Sequence, residues 1–161
     1  VQGTRRCVDL FRNFGLEISG RRDSLLAWNP RAGEPYGGLR GFPIDASQIP
    51  DMVPALSVCA ALSRGETRIY NAQRLRLKES DRLAAMAEAL TGLGGQVRAT
   101  ADGLLIQGVP QLAGGIAQGK NDHRVVMALA AAGLRCEKGL SVTDARVSGN
   151  PIPAFSGILS S

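Results

Sequence analysis

The chain has 161 residues, 44% apolar and 20% charged, which suits one globular domain with its own core and excludes a disordered chain. The longest apolar run, residues 125–134, is far short of the ~20 residues that a membrane-spanning helix needs. The net charge of +5 comes from 19 Lys and Arg against 14 Asp and Glu, dispersed along the chain, with only 4% aromatics. That pattern speaks against a nucleic-acid surface and fits a small anionic ligand.

Residues 1–11 lack the apolar stretch of a signal peptide. Opening on Val1, the chain reads as a piece of something longer. Cys7, Cys59 and Cys136 are far apart and form no Cys-x-x-Cys pair, and His123 is the single histidine. Neither a metal site nor a disulfide framework is expected, and a reducing cytoplasm fits best.

In chain order, residues 8–15 form a short amphipathic segment ending in Gly15. Strands are expected at 16–19 and 25–28, joined by a tight turn at "RRD". A Gly-rich connection with a short extended piece, 35–45, leads to an apolar helix at 49–65, then a strand at 67–72. A helix follows "KESDR", with Leu83, Met86, Leu90 and Leu93 at core spacing.

The pattern then recurs. Residues 87–94 repeat the segment ending in Gly, strands are expected at 96–100 and 104–107 around "ADG", and 112–119 is again Gly-rich. A second apolar helix covers 121–139, a strand 140–145, and Pro151 suits the start of a closing helix. The spacing predicts an α+β fold in a single domain, 1–161, made of two internal repeats, roughly 8–86 and 87–161. Its helices should pack beneath mixed sheets.

Three helix starts carry the chemistry. They hold Asp45 and Asp51; then Lys78, Glu79, Asp81 and Arg82; then Asn121, Asp122, His123 and Arg124. Acids favour such positions, whereas Lys78, Arg82 and Arg124 should cost about a few tenths of a kcal/mol each against the helix dipole. A bound anion would reverse that cost. Lys78 and Arg82, four apart, could face one way, and Glu79 and Arg82 could pair. The same residues equally suit a solvated helix start with local ion pairs, and Asp122 suits a plain N-cap. If the repeat holds, the helix tips fall at corresponding ends of one layer and converge on one cleft.

The stretch from Ile44 to Gly94, with "KESDR", "DGLLIQG", "NDHRVVMALAAAGL" and "PIPAF" in the same order, resembles the C-terminal lobe of 5-enolpyruvylshikimate-3-phosphate synthases. The resemblance covers essentially the whole chain. It implies a lobe of repeated βαβαββ units, of which this chain would hold about two of three. It also implies a transferase that moves the enolpyruvyl group of phosphoenolpyruvate to shikimate-3-phosphate, in aromatic amino acid biosynthesis, with no metal or organic cofactor. By the resemblance, Asp51 is the base at the 5-hydroxyl and Glu79 the acid at the methylene carbon. Lys78 stabilises charge, Arg82 and Arg124 hold the phosphoenolpyruvate carboxylate, and His123 assists binding.

The chain departs from the family in two ways. Asn150 stands where the family has a phosphate-contacting Lys, and the residues of the other, N-terminal lobe have no counterpart. The isolated chain is therefore expected to be inactive. The alternative is a non-catalytic anion-binding or structural module that keeps the fold. A relative acting on RNA termini would want a nucleophilic histidine in a suitable motif, and His123 in "DHR" does not supply one.

Overall fold

The computed structural model describes residues 2–146. Asn150 and the closing helix expected from Pro151 lie outside the described residues.

Helix α1 (Gln2–Phe14) reaches further back than residues 8–15. Cys7, Leu10, Phe11 and Phe14 recur at helical spacing and face the core, where Phe14 meets Phe42 edge-on with ring centroids 4.7 Å apart. The helix stops at Gly15, whose φ of 119° only glycine adopts readily. Gly15 N–H donates to the Arg12 carbonyl and Leu16 N–H to that of Phe11, which is a Schellman cap.

Strands β1 (Glu17–Arg21) and β2 (Ser24–Trp28) form an antiparallel hairpin. The strands run closer to the turn than the sequence suggests: Arg21 pairs with Ser24, leaving Arg22 and Asp23 as the turn.

The central unit is a four-stranded sheet in the order β3-β4-β6-β5, built from β3 (Ile44–Asp45), β4 (Glu66–Tyr70), β5 (Gln96–Ala99) and β6 (Leu104–Gln107). β3 and β4 are parallel, so the chain must cross over between them, and α2 (Val53–Ala61) makes that crossover. α3 (Arg82–Gly92) links β4 to the antiparallel β5–β6 hairpin, and β6 pairs with β4. Thr67 and Ile69 alternate with exposed Glu66 and Arg68, so one face of β4 is buried.

A further two-stranded parallel sheet follows. β7 (Gly115–Gln118) pairs with β8 (Leu140–Thr143) across α4 (His123–Gly133). This is the same β-α-β arrangement as β3-α2-β4. The fold is α+β with mixed sheets, as the composition and patterning suggest.

α2, α3 and α4 pack on one another beneath the sheets. α2 is apolar nearly all round because it lies in the middle, with Val53, Leu56, Val58, Ala60 and Ala61 buried. Leu83, Met86, Leu90 and Leu93 are fully buried, with Ile44, Leu56, Ile69, Leu104 and Ile106 around them. α3 ends in the same Schellman cap as α1: Gly94 N–H donates to Thr91 and Gly95 N–H to Leu90. Two glycines allow close backbone approach to neighbouring segments: an added Cβ at Gly103 would lie 1.7 Å from the Ile69 carbonyl oxygen, and one at Gly108 1.5 Å from that of Ser63.

A stretch without a counterpart in the sequence reading is the 3₁₀ turn at Gln73–Leu77. It buries Leu75 and carries the chain from β4 to the "KESD" segment. Arg76 fastens that segment to the β5–β6 turn. Its Nε donates to the Ala101 carbonyl at 3.2 Å and Nη1 to Asp81 Oδ2 at 2.9 Å, and Nη2 donates to the Thr100 carbonyl.

Candidate active site

α3 begins at Arg82, not within "KESD". Asp81 is the N-cap, and its Oδ1 accepts from the Ala84 N–H at 3.0 Å. Lys78 is extended, with φ −91° and ψ −163°, so helical spacing does not align it with Arg82. The two cations diverge: Lys78 is exposed and Arg82 is buried.

Arg82 is the centre of the site. Its side chain is 2% exposed, and three of its nitrogens donate to three carboxylates. Nε meets Asp122 Oδ2 at 2.8 Å, Nη1 meets Asp51 Oδ1 at 3.0 Å, and Nη2 meets Glu79 Oε2 at 2.6 Å. These acids come from the start of α4, from the 3₁₀ turn Pro50–Met52 ahead of α2, and from the segment ahead of α3. Three helix starts therefore converge on one guanidinium.

The magnitudes explain why Arg82 tolerates its position. The dipole of α3 opposes a cation at its first residue by about 0.3–1 kcal/mol. Hydrogen bonds between charged partners are worth about 1.5–3 kcal/mol each, and three of them outweigh that penalty. The anions that balance this misplaced charge belong to the protein itself.

Asp122 is fully buried. It is an N-cap, with Oδ1 accepting from the Arg124 N–H at 3.1 Å, while Oδ2 also accepts from Ser80 Oγ at 3.0 Å. Burial pushes the Asp122 carboxyl up, but the bonds from Arg82 and Ser80 and the charge of Arg82 outweigh it, so the carboxyl lies below its ordinary range. Burial likewise opposes the charge on Arg82. The bond to Asp122 and the fields of Asp122, Glu79 and Asp51 prevail and hold it above its ordinary value.

The rim is more open. Asp51 and Glu79 have side chains 47% and 57% exposed. Arg124 is 42% exposed and approaches Asp51 Oδ2 at 3.7 Å. His123 and Lys78 are exposed. Lys120 and Asn121, just ahead of Asp122, both hold left-handed conformations, with φ of 55° and 53°. Such strain in non-glycine residues gathers at functional sites.

The structure thus brings Asp51, Glu79, Arg82 and Arg124 into direct contact and sets His123 beside Arg124 in the chain. Lys78 makes no polar contact among the described residues. Sequence reasoning gave Asp122 no role beyond the cap and left Ser80 out. No local signal marks either role, because Asp122 is 40 positions from Arg82 and 42 from Ser80.

Fold and site together define an α+β lobe whose helix starts gather acids and cations at one place. The family model of EPSP synthase (3-phosphoshikimate 1-carboxyvinyltransferase) matches residues 1–159, and the chain belongs to that family. It is 53% identical over 155 residues to a 3-phosphoshikimate 1-carboxyvinyltransferase of Clostridium acetobutylicum, covering 96% of this chain and 34% of that protein. A Clostridium perfringens protein of the same name is 39% identical over 154 residues, covering 96% of this chain and 35% of its own length. The solved EPSP synthase of Acinetobacter baumannii superposes with a TM-score of 0.67 at 27% identity, over 85% of this chain and 34% of that one. The chain spans about a third of the length of these relatives.

Proposed function

We propose that the chain forms the acid/base and carboxylate-holding part of an enzyme that transfers the enolpyruvyl group of phosphoenolpyruvate to shikimate-3-phosphate. The observation that carries this reading is the convergence of Asp51, Glu79 and Asp122 on Arg82 from three helix starts.

The reaction adds a proton to the methylene carbon while the 5-hydroxyl attacks the neighbouring carbon. The tetrahedral intermediate then loses phosphate. It needs a base at the hydroxyl and an acid at the methylene, poised across the reacting atoms. Asp51 is the base and Glu79 the acid; both are half-exposed and meet the same guanidinium, which supports their lying at one site. Arg82 and Arg124 hold the phosphoenolpyruvate carboxylate, a task that suits the forked donor of arginine. Lys78 stabilises charge near the hydroxyl and phosphate, and His123 assists binding. Asn150 has the phosphate-contacting role, with a donor but no charge.

The remaining groups come from the other, N-terminal lobe of the longer protein, in the cytoplasm. The two-repeat organisation, 8–86 and 87–161, belongs to the same proposal. The matching caps at Gly15 and Gly94 support it, as do the matching β-α-β arrangements and the left-handed Asn71 and Asp144 directly after β4 and β8.

A second reading, a non-catalytic module, is favoured by one observation: Arg82 is already satisfied by acids of the protein. A chimera separates the two. The matching third of the Clostridium acetobutylicum relative is replaced by this chain, and phosphate release from both substrates is assayed. The enzyme reading expects turnover by the chimera and none by the isolated chain. A folded chimera without turnover supports the module.

A further inference from the structure

Arg82 is bonded to three carboxylates that are held very differently. Asp122 is fully buried and has two further partners, Ser80 Oγ and the Arg124 N–H. Asp51 is shared between Arg82 and Arg124. Arg82 is the only hydrogen-bonding or ion-pair partner of the Glu79 side chain among the described residues, and that side chain is 57% exposed. Glu79 lies between the 3₁₀ turn and α3, outside both. Glu79 is therefore the least anchored of the three acids. The guanidinium it touches is only 2% exposed, so a ligand reaches that guanidinium by moving one of the half-exposed acids aside.

We propose that Glu79 occupies the carboxylate seat of Arg82 when no substrate is present, and that a substrate carboxylate binds at Nη2 by exchange with it. This rests on the reading of the chain as the phosphoenolpyruvate-holding part of an enolpyruvyl transferase.

Charge favours exchange over addition. A substrate carboxylate that entered with Glu79 in place would be the fourth carboxylate around one guanidinium, with Arg124 the nearest other cation. Like charges at such separations repel. Exchange keeps the number of carboxylates on Arg82 constant.

It also has a consequence for the chemistry. Paired with Arg82, the Glu79 carboxylate is an acceptor and has no proton to give. Once displaced, its oxygens are free to accept a proton from solvent hydronium and to pass it to the methylene carbon. Seating the substrate and releasing the acid are then a single event, and an empty site keeps its acid engaged. Asp122 serves as the positioning residue, because it fixes Arg82 from the buried side while the opposite edge changes partner.

The test titrates the chimera with the Clostridium acetobutylicum relative, which supplies the other lobe, with phosphoenolpyruvate in the presence of shikimate-3-phosphate, and follows the ¹⁵N–¹H signals of the arginine guanidinium groups. Three proteins are compared: wild type, Glu79→Gln and Asp51→Asn. Both variants remove one negative charge from a half-exposed side chain that touches Arg82. Exchange expects Glu79→Gln to bind about fivefold more tightly than wild type, because no charged carboxylate must be displaced. The gain should exceed that of Asp51→Asn, and the Arg82 Nε signal facing Asp122 should stay put while Nη2 shifts. A gain for Glu79→Gln that is absent, or no larger than that for Asp51→Asn, overturns the exchange and leaves the proposed function standing. Phosphoenolpyruvate binding to none of the three proteins overturns both.

Discussion

Arg82 and Asp122 lie 40 positions apart and meet at 2.8 Å through Nε and Oδ2. Their side chains are 2% and 0% exposed. The pair joins the start of α3 to the start of α4. Without Asp122 the buried guanidinium would keep only the half-exposed Asp51 and Glu79, and its Nε would lose its partner; breaking a buried pair costs about 3–5 kcal/mol. Asp122→Ala, which also removes the helix cap, should lower the unfolding free energy obtained from urea titration by an amount in that range. A loss under about 1 kcal/mol, typical of exposed pairs, would show that the pair does not anchor the helices.

The same carboxylate sets the response to acid. Its folded-state pKa is below the ordinary Asp value. The stability it contributes is therefore fully present above the unfolded pKa of about 3.9 and is lost as pH falls through the lower folded value. Thermal unfolding followed from pH 7 downward should show a steepening loss of Tm below about pH 4. Asp122→Asn should flatten that limb. An unchanged slope would assign the acid transition to other carboxylates.

Thr67 carries the one buried side-chain polar atom without a hydrogen-bond partner among the described residues. Its hydroxyl lies on the buried side of β4 against the backbone at Gly41, where burial without a partner costs about 1–3 kcal/mol. Thr67→Val keeps the branched shape that suits a strand and removes the orphan oxygen. The Tm should rise by a few degrees. A fall would mean that the hydroxyl has a partner such as an ordered water.

Burial pushes the Cys59 thiol up to about 11. Little thiolate exists at pH 8, and thiolate is the reactive form. Cys59 is partly exposed, so modification of the folded chain by a disulfide reagent at pH 8 should be slow at Cys59, limited by its small thiolate fraction, compared with a denatured control. Labelling of Cys59 as fast as in the denatured control, identified by mass spectrometry, would contradict the raised thiol pKa.

Much of the fold was legible because it follows local rules. The periodicity of Leu83, Met86, Leu90 and Leu93 marks the face of α3 that is fully buried. Gly15 and Gly94 mark helix ends, and the turns at Arg22–Asp23 and around Gly103 mark both hairpins. The 3₁₀ turn at Gln73–Leu77 was not legible, since its one buried residue, Leu75, gives no period. The site was half legible. Its charged helix starts stand out in the sequence, but the environment of Arg82 does not. Arginine is rarely buried unless paired, and its partners are distant in the chain. The four-residue spacing of Lys78 and Arg82 suggests one helix face, whereas Lys78 and Glu79 precede α3 and only Arg82 belongs to it.

The most direct test of the account is the turnover of the Clostridium chimera carrying Glu79→Gln, measured as phosphate release at saturating substrates. Glutamine keeps the size of the side chain and removes its capacity to carry the proton. The account expects kcat to fall by well over tenfold while substrate binding is kept or tightened. A fall of less than about tenfold, ~1.4 kcal/mol in the barrier, would contradict Glu79 as the proton carrier and with it the role proposed for this chain.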